Sequence, residues 1–333
     1  MTAVSRREAG RERAALGPLR HAADGRALLF LALLAGLMAA QWSALSRHWL
    51  LWPPTCLLAF IACVVKHNHV HCPTFRGRRW NAALGHALGL LTGHPSTAII
   101  TAHNVRHHRH NQSELDWVRC SLVDFRRNWL NLLVFPFLSA AAMRREKPND
   151  LRQWRRRPAL YRQALAERVV LYGALAVLLA LDWSATLAYL VGPWLFGQWG
   201  IVTINLIQHQ GCDAGSEYDH SRNVTGRLLN WLVLNNGFHT AHHLRPALHW
   251  SLLPAFHGAA VAPRMRPELA ERSLLMASWR RFGPGRRWPP QPAHELLGAR
   301  GPETTGLAQG MPSGVRTGDV DGARPRDARA TGS

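Results

Sequence analysis

Apolar residues in this chain gather into long uncharged runs rather than alternating with polar ones. Residues 27–45 (ALLFLALLAGLMAAQWSAL) hold no charge. A helix rises 1.5 Å per residue, so about 20 such residues cross the hydrocarbon of a bilayer. Arginines precede this run, as they would in a secretory signal. The run is longer than a signal core and a second apolar segment follows almost at once, so it reads as a retained span. After Arg47 and His48 comes 49–65 (WLLWPPTCLLAFIACVV). Pro53 and Pro54 suit a first helical turn, so the helix is expected to start there and continue into Lys66 and His67. Two more spans are predicted at roughly 169–186 and 187–207, with a break near Asp182, Trp183 and Ser184. The four make two helical hairpins with very short outer loops. Segments 82–102 and 129–142 are apolar but short or broken, the second by Pro136, and read as interfacial helices.

Charge orients these hairpins. The 333-residue chain carries a formal charge of +20. Arginine is dense in the N-terminal tail, between Arg76 and Arg168, and in the C-terminal part, but sparse in the two short loops. By the positive-inside rule both termini and the long central loop face the cytoplasm. That balance would also suit nucleic acid, yet no zinc-finger spacing or recognisable nucleic-acid motif accompanies it, so no nucleic-acid partner is expected. Residues 1–26 read as a basic N-terminal arm, 27–290 as the membrane-embedded domain, and 291–333 as a disordered tail poor in core-forming residues. Arg144, Arg145, Lys147, Arg152, Arg155, Arg156 and Arg157 form a basic run that suits anionic lipid or an acidic protein partner. Trp49, Trp52, Trp80 and Trp194 suit interface anchoring or the lining of a lipid path. The five cysteines form no C-x-x-C pair, and reduced thiols are the default.

Histidine then changes the picture. Nine histidines fall into four groups: His67 and His71; His103, His107 and His108; His209; and His239, His242 and His243. Neutral imidazole is the commonest metal ligand among side chains. One transition metal takes roughly four to six ligands, so nine suit two ions. His67 and His71 lie one helical turn apart, and Cys72-Pro73 ends that helix. His103 and His107 repeat the spacing and His108 extends the face, on a helix for which Ser96 is a plausible N-cap. His239, His242 and His243 follow the i, i+3, i+4 pattern, and Pro246 stops their helix. His209 ends the last span, with Asn205 one turn earlier. His69 points away from its neighbours, and His94 and His110 lie outside the groups. Glu114 and Asp116 either orient a ligand imidazole or are solvated acids; both readings stand. All four groups fall on the cytoplasmic side.

These groups resemble the histidine boxes of the membrane-bound fatty acid desaturase and hydroxylase superfamily. The boxes stand as His67-Asn-His-Val-His71, His103-Asn-Val-Arg-His107-His108 and His239-Thr-Ala-His242-His243, with Asn205-Leu-Ile-Gln-His209 as the further histidine. The stretch from Asn235 to Pro246, followed by Trp250 and Leu253-Pro254, resembles the third box of bacterial desaturase-like members. The resemblance covers about 27–260. It implies an all-α integral membrane protein, with about four transmembrane helices and a cytoplasmic helical cap holding the metal site. It also implies two iron ions on the nine histidines, a water held by Asn205, dioxygen as co-substrate and a lipid or acyl substrate. A multi-pass protein of the bacterial inner membrane is the expected setting. No haem-binding or ferredoxin motif is fused to the chain, so an external donor such as a ferredoxin is implied. A hydroxylase of lipid, carotenoid or alkane on the same scaffold is the nearest alternative. A metal-binding membrane protein without oxygen chemistry is the next. No H-E-x-x-H occurs, which disfavours a zinc protease.

Overall fold

A computed structural model describes residues 18–287, with only the backbone described over 146–153. Its principal helices, in chain order, are α1 (Asp24–Trp42), α2 (Trp52–His71), α3 (Arg78–Thr92), α4 (Asn128–Arg155), α5 (Pro158–Thr186), α6 (Gly192–His209), α7 (Arg227–Leu232), α8 (His239–Leu244) and α9 (Leu274–Phe282). The only sheet among the described residues is a two-residue parallel pair, β1 (Asn223–Val224) with β2 (Ala270–Glu271). Of the sequence-predicted arm at 1–26, the part before residue 18 lies outside the described residues; the tail at 291–333 lies wholly outside them.

Three stretches are long and apolar enough to cross a membrane: Asp24–Trp42, Trp49–His71 and Pro158–His209. The last runs 52 residues. As one straight helix it would reach about 78 Å, against a hydrocarbon core of about 30 Å. It does not run straight, because Asp182 leaves the helical region with φ −151° and ψ 92°. Its carboxylate then caps the returning helix, accepting the Ala185 N–H at 2.9 Å and the Ser184 hydroxyl at 2.8 Å. Arg47, from the loop between α1 and α2, meets Asp182 at 3.2 Å. At the opposite end, the arms of this stretch come back to the histidine groups: Glu167 accepts the Thr97 N–H, and His209 stands beside His239. The two hairpins predicted from the apolar runs are therefore present, and the protein is all-α apart from the short strand pair.

Two close approaches hold the hairpins together. A Cβ on Gly197 of α6 would come within 2.8 Å of the Ala59 backbone of α2, so only glycine lets these helices lie so near. Gly93, at φ 66°, ends α3 in the left-handed region and lies under the Trp194 ring. Trp194 is thus buried, whereas Trp49, Trp52 and Trp80 are exposed. Buried polar bonds add direction: Gln41 donates to Thr55 at 2.7 Å, and Trp42 to Thr186 at 2.9 Å. Only 17% of the apolar window in Pro158–His209 is buried within the chain. Its outward Val169, Val177, Leu181 and Leu195 form the kind of apolar face that lipid covers.

Some local expectations need correction. The first span begins at Asp24 and ends at Trp42, not 27–45. Residues 18–23 already pack, with Leu19 bridged to Phe75. Pro136 does not interrupt its segment, since α4 runs 28 residues through it; Pro removes one helical hydrogen bond, and the buried neighbour Phe135 keeps that turn packed. Ser96 does not act as an N-cap. Its hydroxyl instead donates to the Gly85 carbonyl of α3 at 2.9 Å, with Pro95 at the cap position.

Candidate metal centre

Four elements bring the histidines together. Helix α2 ends by presenting His67 and His71 from adjacent turns, and Cys72 leaves the helix immediately after. His69 turns away and pairs with the Thr74 hydroxyl at 3.0 Å. The second element is a π-helix, Ile100–His107, rather than the α-helix expected. Its wider i→i+5 turn carries a bond from the His108 N–H to the His103 carbonyl. His103 and His108 therefore meet edge to face, their rings at 90° and their Nε2 atoms 2.9 Å apart. Helix α8 supplies His239, His242 and His243, and α6 ends on His209.

The nine imidazoles sort into two clusters. Donor atoms of His67, His71, His103 and His242 lie within 4.8 Å of one another, as do those of His107, His209, His239 and His243. His108 joins the first cluster, its Nε2 lying 3.0 Å from that of His242. The second and third boxes thus do not each present one face to one ion. Successive helical residues diverge by about 100°, so each adjacent pair splits: His108 and His242 go to the first cluster, His107 and His243 to the second.

The contacts within each cluster suit a cation. His242 Nε2 lies 2.9 Å from His67 Nε2 and 3.0 Å from His108 Nε2. His239 Nε2 lies 2.8 Å from His209 Nε2 and 3.1 Å from His243 Nε2. A ring nitrogen carries at most one proton, so it cannot satisfy two facing lone pairs. Ligands at about 2.1 Å from one ion stand roughly 3.0 Å apart at a right angle and roughly 4.2 Å apart when opposed, which matches these spacings. His71 Nε2 and His107 Nε2 are buried with no hydrogen-bond partner. Burial, reinforced by neighbouring imidazoles, holds His103, His108, His239, His242 and His243 well below the usual imidazole range. They are neutral at neutral pH, the form that ligates metal.

Surrounding groups fix two tautomers. His107 Nδ1 donates to Asp116 at 2.9 Å, which aims Nε2 at the cluster. Asp116 is fully buried and also accepts from the backbone N–H of Gln112 and Val118. Burial pushes its carboxyl up, but the interaction with His107 and the hydrogen bonds from the two backbone N–H groups outweigh that and hold it below the usual carboxylate range. Glu114 is exposed, so the open question between the two acids resolves to Asp116. His209 Nδ1 donates to the His220 carbonyl at 3.0 Å. Sequence spacing gave no sign of His220, which sits in a loop with no histidine at helical spacing. Its ring lies 5.1 Å from that of His243. His94 and His110 belong to neither cluster, and no cysteine joins either one.

A cavity of about 350 Å³ reaches this end of the hairpins. Its wall is mostly apolar, with Phe60, Val64, Ile99, Ile201 and Leu229, and it meets the clusters at His67, His103 and His239. Asn205 also lines it, donating from Nδ2 to the Val118 carbonyl at 3.0 Å. Lys66, buried on the same wall, donates to Thr92 and to the His94 carbonyl. Arg144 lines the cavity too and is solvent-exposed.

No curated protein matches the chain. Residues 47–280, which include both clusters and the cavity, match the fatty acid desaturase family, and the chain belongs to that family.

Proposed function

We propose that the protein is a dioxygen-dependent di-iron desaturase that introduces a double bond into a lipid acyl chain, with electrons from an external ferredoxin-type donor. The observation that carries this reading is the meeting of two imidazole clusters with a mostly apolar cavity. Overall, two hydrogens leave adjacent methylenes, and with two electrons and two protons from the donor side they reduce one dioxygen to two waters. Two iron ions, when bound, supply the redox chemistry for this. His67, His71, His103, His108 and His242 would hold one, and His107, His209, His239 and His243 the other. Imidazole also suits zinc, copper and nickel, and the dioxygen chemistry of the family favours iron.

The chain's own residues position the reaction. Phe60, Val64, Ile201 and Leu229 exclude water and hold the acyl chain beside His67, His103 and His239. Asp116 keeps His107 in the ligating tautomer. Asn205, one turn before His209, would turn its Oδ1 to a water at the second ion. Arg144, Arg145, Arg155, Arg156 and Arg157 are exposed and would receive an acidic electron donor. Both termini and the histidine end would face the cytoplasm, in a bacterial inner membrane.

The test is expression with a ferredoxin system in a host of known lipid composition, beside a His242→Ala/His243→Ala variant. Lipids are compared by accurate mass. A species lacking two hydrogens, present only with wild type, is expected. A species gaining one oxygen instead would assign the protein as a hydroxylase and overturn the desaturase reading.

A further inference from the structure

His220 is buried, at 6% exposure, beside the second cluster. Its Nδ1 faces the carbonyls of Ser216 at 3.2 Å and Glu217 at 3.0 Å. Carbonyls only accept, so the ring proton sits on Nδ1 and the lone pair sits on Nε2. That Nε2 is buried and has no hydrogen-bond partner. A bare acceptor in a dry site is costly unless something donates to it or coordinates it. A backbone carbonyl on one ring nitrogen and an ion on the other is the usual dress of a ligating histidine. His209 is held in the same way, by a carbonyl at Nδ1, and that carbonyl belongs to His220.

Ring spacing points the same way. His220 and His243 are 5.1 Å apart between centroids. The cluster pairs His107 with His243, and His209 with His243, are 4.9 and 5.0 Å apart. His220 and His209 are 6.4 Å apart, the separation of the widest pair in the cluster, His107 and His239. His220 nevertheless lies outside the group of four whose donor atoms fall within 4.8 Å of one another. Coordination would therefore need a shift of its ring toward the ion.

We propose that His220 is a fifth imidazole ligand of the second metal, so that ten histidines, five to each ion, form the centre. The proposal rests on the reading of the clusters as a two-metal site. It implies a local shift of the His220 ring toward the second ion, with the His220 carbonyl still holding His209. It also makes the two ions unequal, because one of the ten ligands comes from a loop while the first ion's five come from helices.

The test uses purified full-length protein in nanodiscs, with His220→Asn and His220→Gln variants. Asn keeps an N–H near the Nδ1 position and so keeps the loop bonds, but has no nitrogen where Nε2 was. Three quantities are read: metal per chain, the rate of metal release to a chelator, and the thermal midpoint with and without metal. Wild type is expected to hold two ions. In His220→Asn one ion should leave roughly 10- to 100-fold faster, the scale seen when metal-site partners are removed. The other should leave at the wild-type rate, and the metal-free midpoint should stay unchanged. A merely structural histidine would instead lower both midpoints together and leave release of both ions unchanged, which overturns the proposal. Should His220→Asn fail to fold, His220→Gln carries the same comparison: faster release of one ion supports the proposal, and wild-type release of both overturns it. Wild-type protein that holds no metal would overturn the two-metal reading itself, a result distinct from an intact two-metal protein indifferent to His220.

Discussion

The two histidine clusters use the same ligand type but hold it differently. The first takes all its imidazoles from helical positions: His67 and His71 on α2, His103 and His108 around the π-turn, and His242 on α8. Among the described residues, no carboxylate or carbonyl bonds any of these five rings. Their directions are set by helix packing and by ties such as Asn236 to Asn68 at 3.1 Å. The second cluster is set from outside. Asp116 orients His107, the His220 carbonyl orients His209, and both supports come from irregular chain. Helix packing thus aims the first cluster with no hydrogen bond on the rings' far nitrogens, whereas His107 and His209 are each aimed by a hydrogen bond to irregular chain.

The largest effects are expected at the histidines themselves. His242→Ala removes a nitrogen that lies 2.9 and 3.0 Å from two others in the first cluster, and is expected to empty that site and abolish turnover. His243→Ala is expected to empty the second site. Elemental analysis beside an activity assay checks both; an active His242→Ala enzyme holding two ions would sink the assignment. Next in size is Asp116→Asn, which keeps the shape but weakens the acceptor on His107. Affinity for the second ion should fall roughly 10- to 100-fold, with the first unaffected. Equal loss from both sites would show that the clusters are not independently supported.

Acid should act on both. The rings of His103, His108, His239, His242 and His243 are held neutral, below the usual imidazole value. The unfolded chain, with imidazoles near about 6.5, therefore binds more protons than the folded one at mildly acidic pH. Metal-free stability should be flat above that value and should fall as pH drops below it, until the folded rings also protonate. Metal retention should fall in the same direction, because protons compete for the same lone pairs. Thermal midpoints and metal content across a pH series check this; stability that rises on acidification would contradict it. The smallest effect expected is on the distance between clusters. Gly197→Ala pushes α6, which bears His209, away from α2, which bears His67 and His71. A destabilisation of about 1–3 kcal/mol is expected from such overpacking, read as a lower thermal midpoint.

Much of this was legible in the sequence because helical geometry turns spacing into direction. The four spans, the hairpin break at Asp182 and the nine clustered histidines all follow from apolar runs and one-turn intervals. What spacing could not show was the division of those histidines between clusters. His103 and His107 look like partners at α-helical spacing, but the π-turn pairs His103 with His108 instead. Asp116 was one of two candidate acids, and only burial separates it from Glu114. His220 carries no periodic signal at all, since its loop is shaped by turn bonds such as Ser216 N–H to the Asp213 carbonyl. Pro136 misled in the other direction: a residue that normally breaks a helix is carried through α4 by the packing around it.

We read the two clusters as two separate metal sites in one desaturase-family protein. The most direct measurement is the iron content and X-ray absorption of the purified full-length chain, beside the His242→Ala and His243→Ala variants. Two irons per chain in nitrogen-rich coordination are expected for wild type, with loss of a different ion in each variant. A folded wild-type protein that holds a single ion, or loses all metal equally in both variants, would contradict that reading.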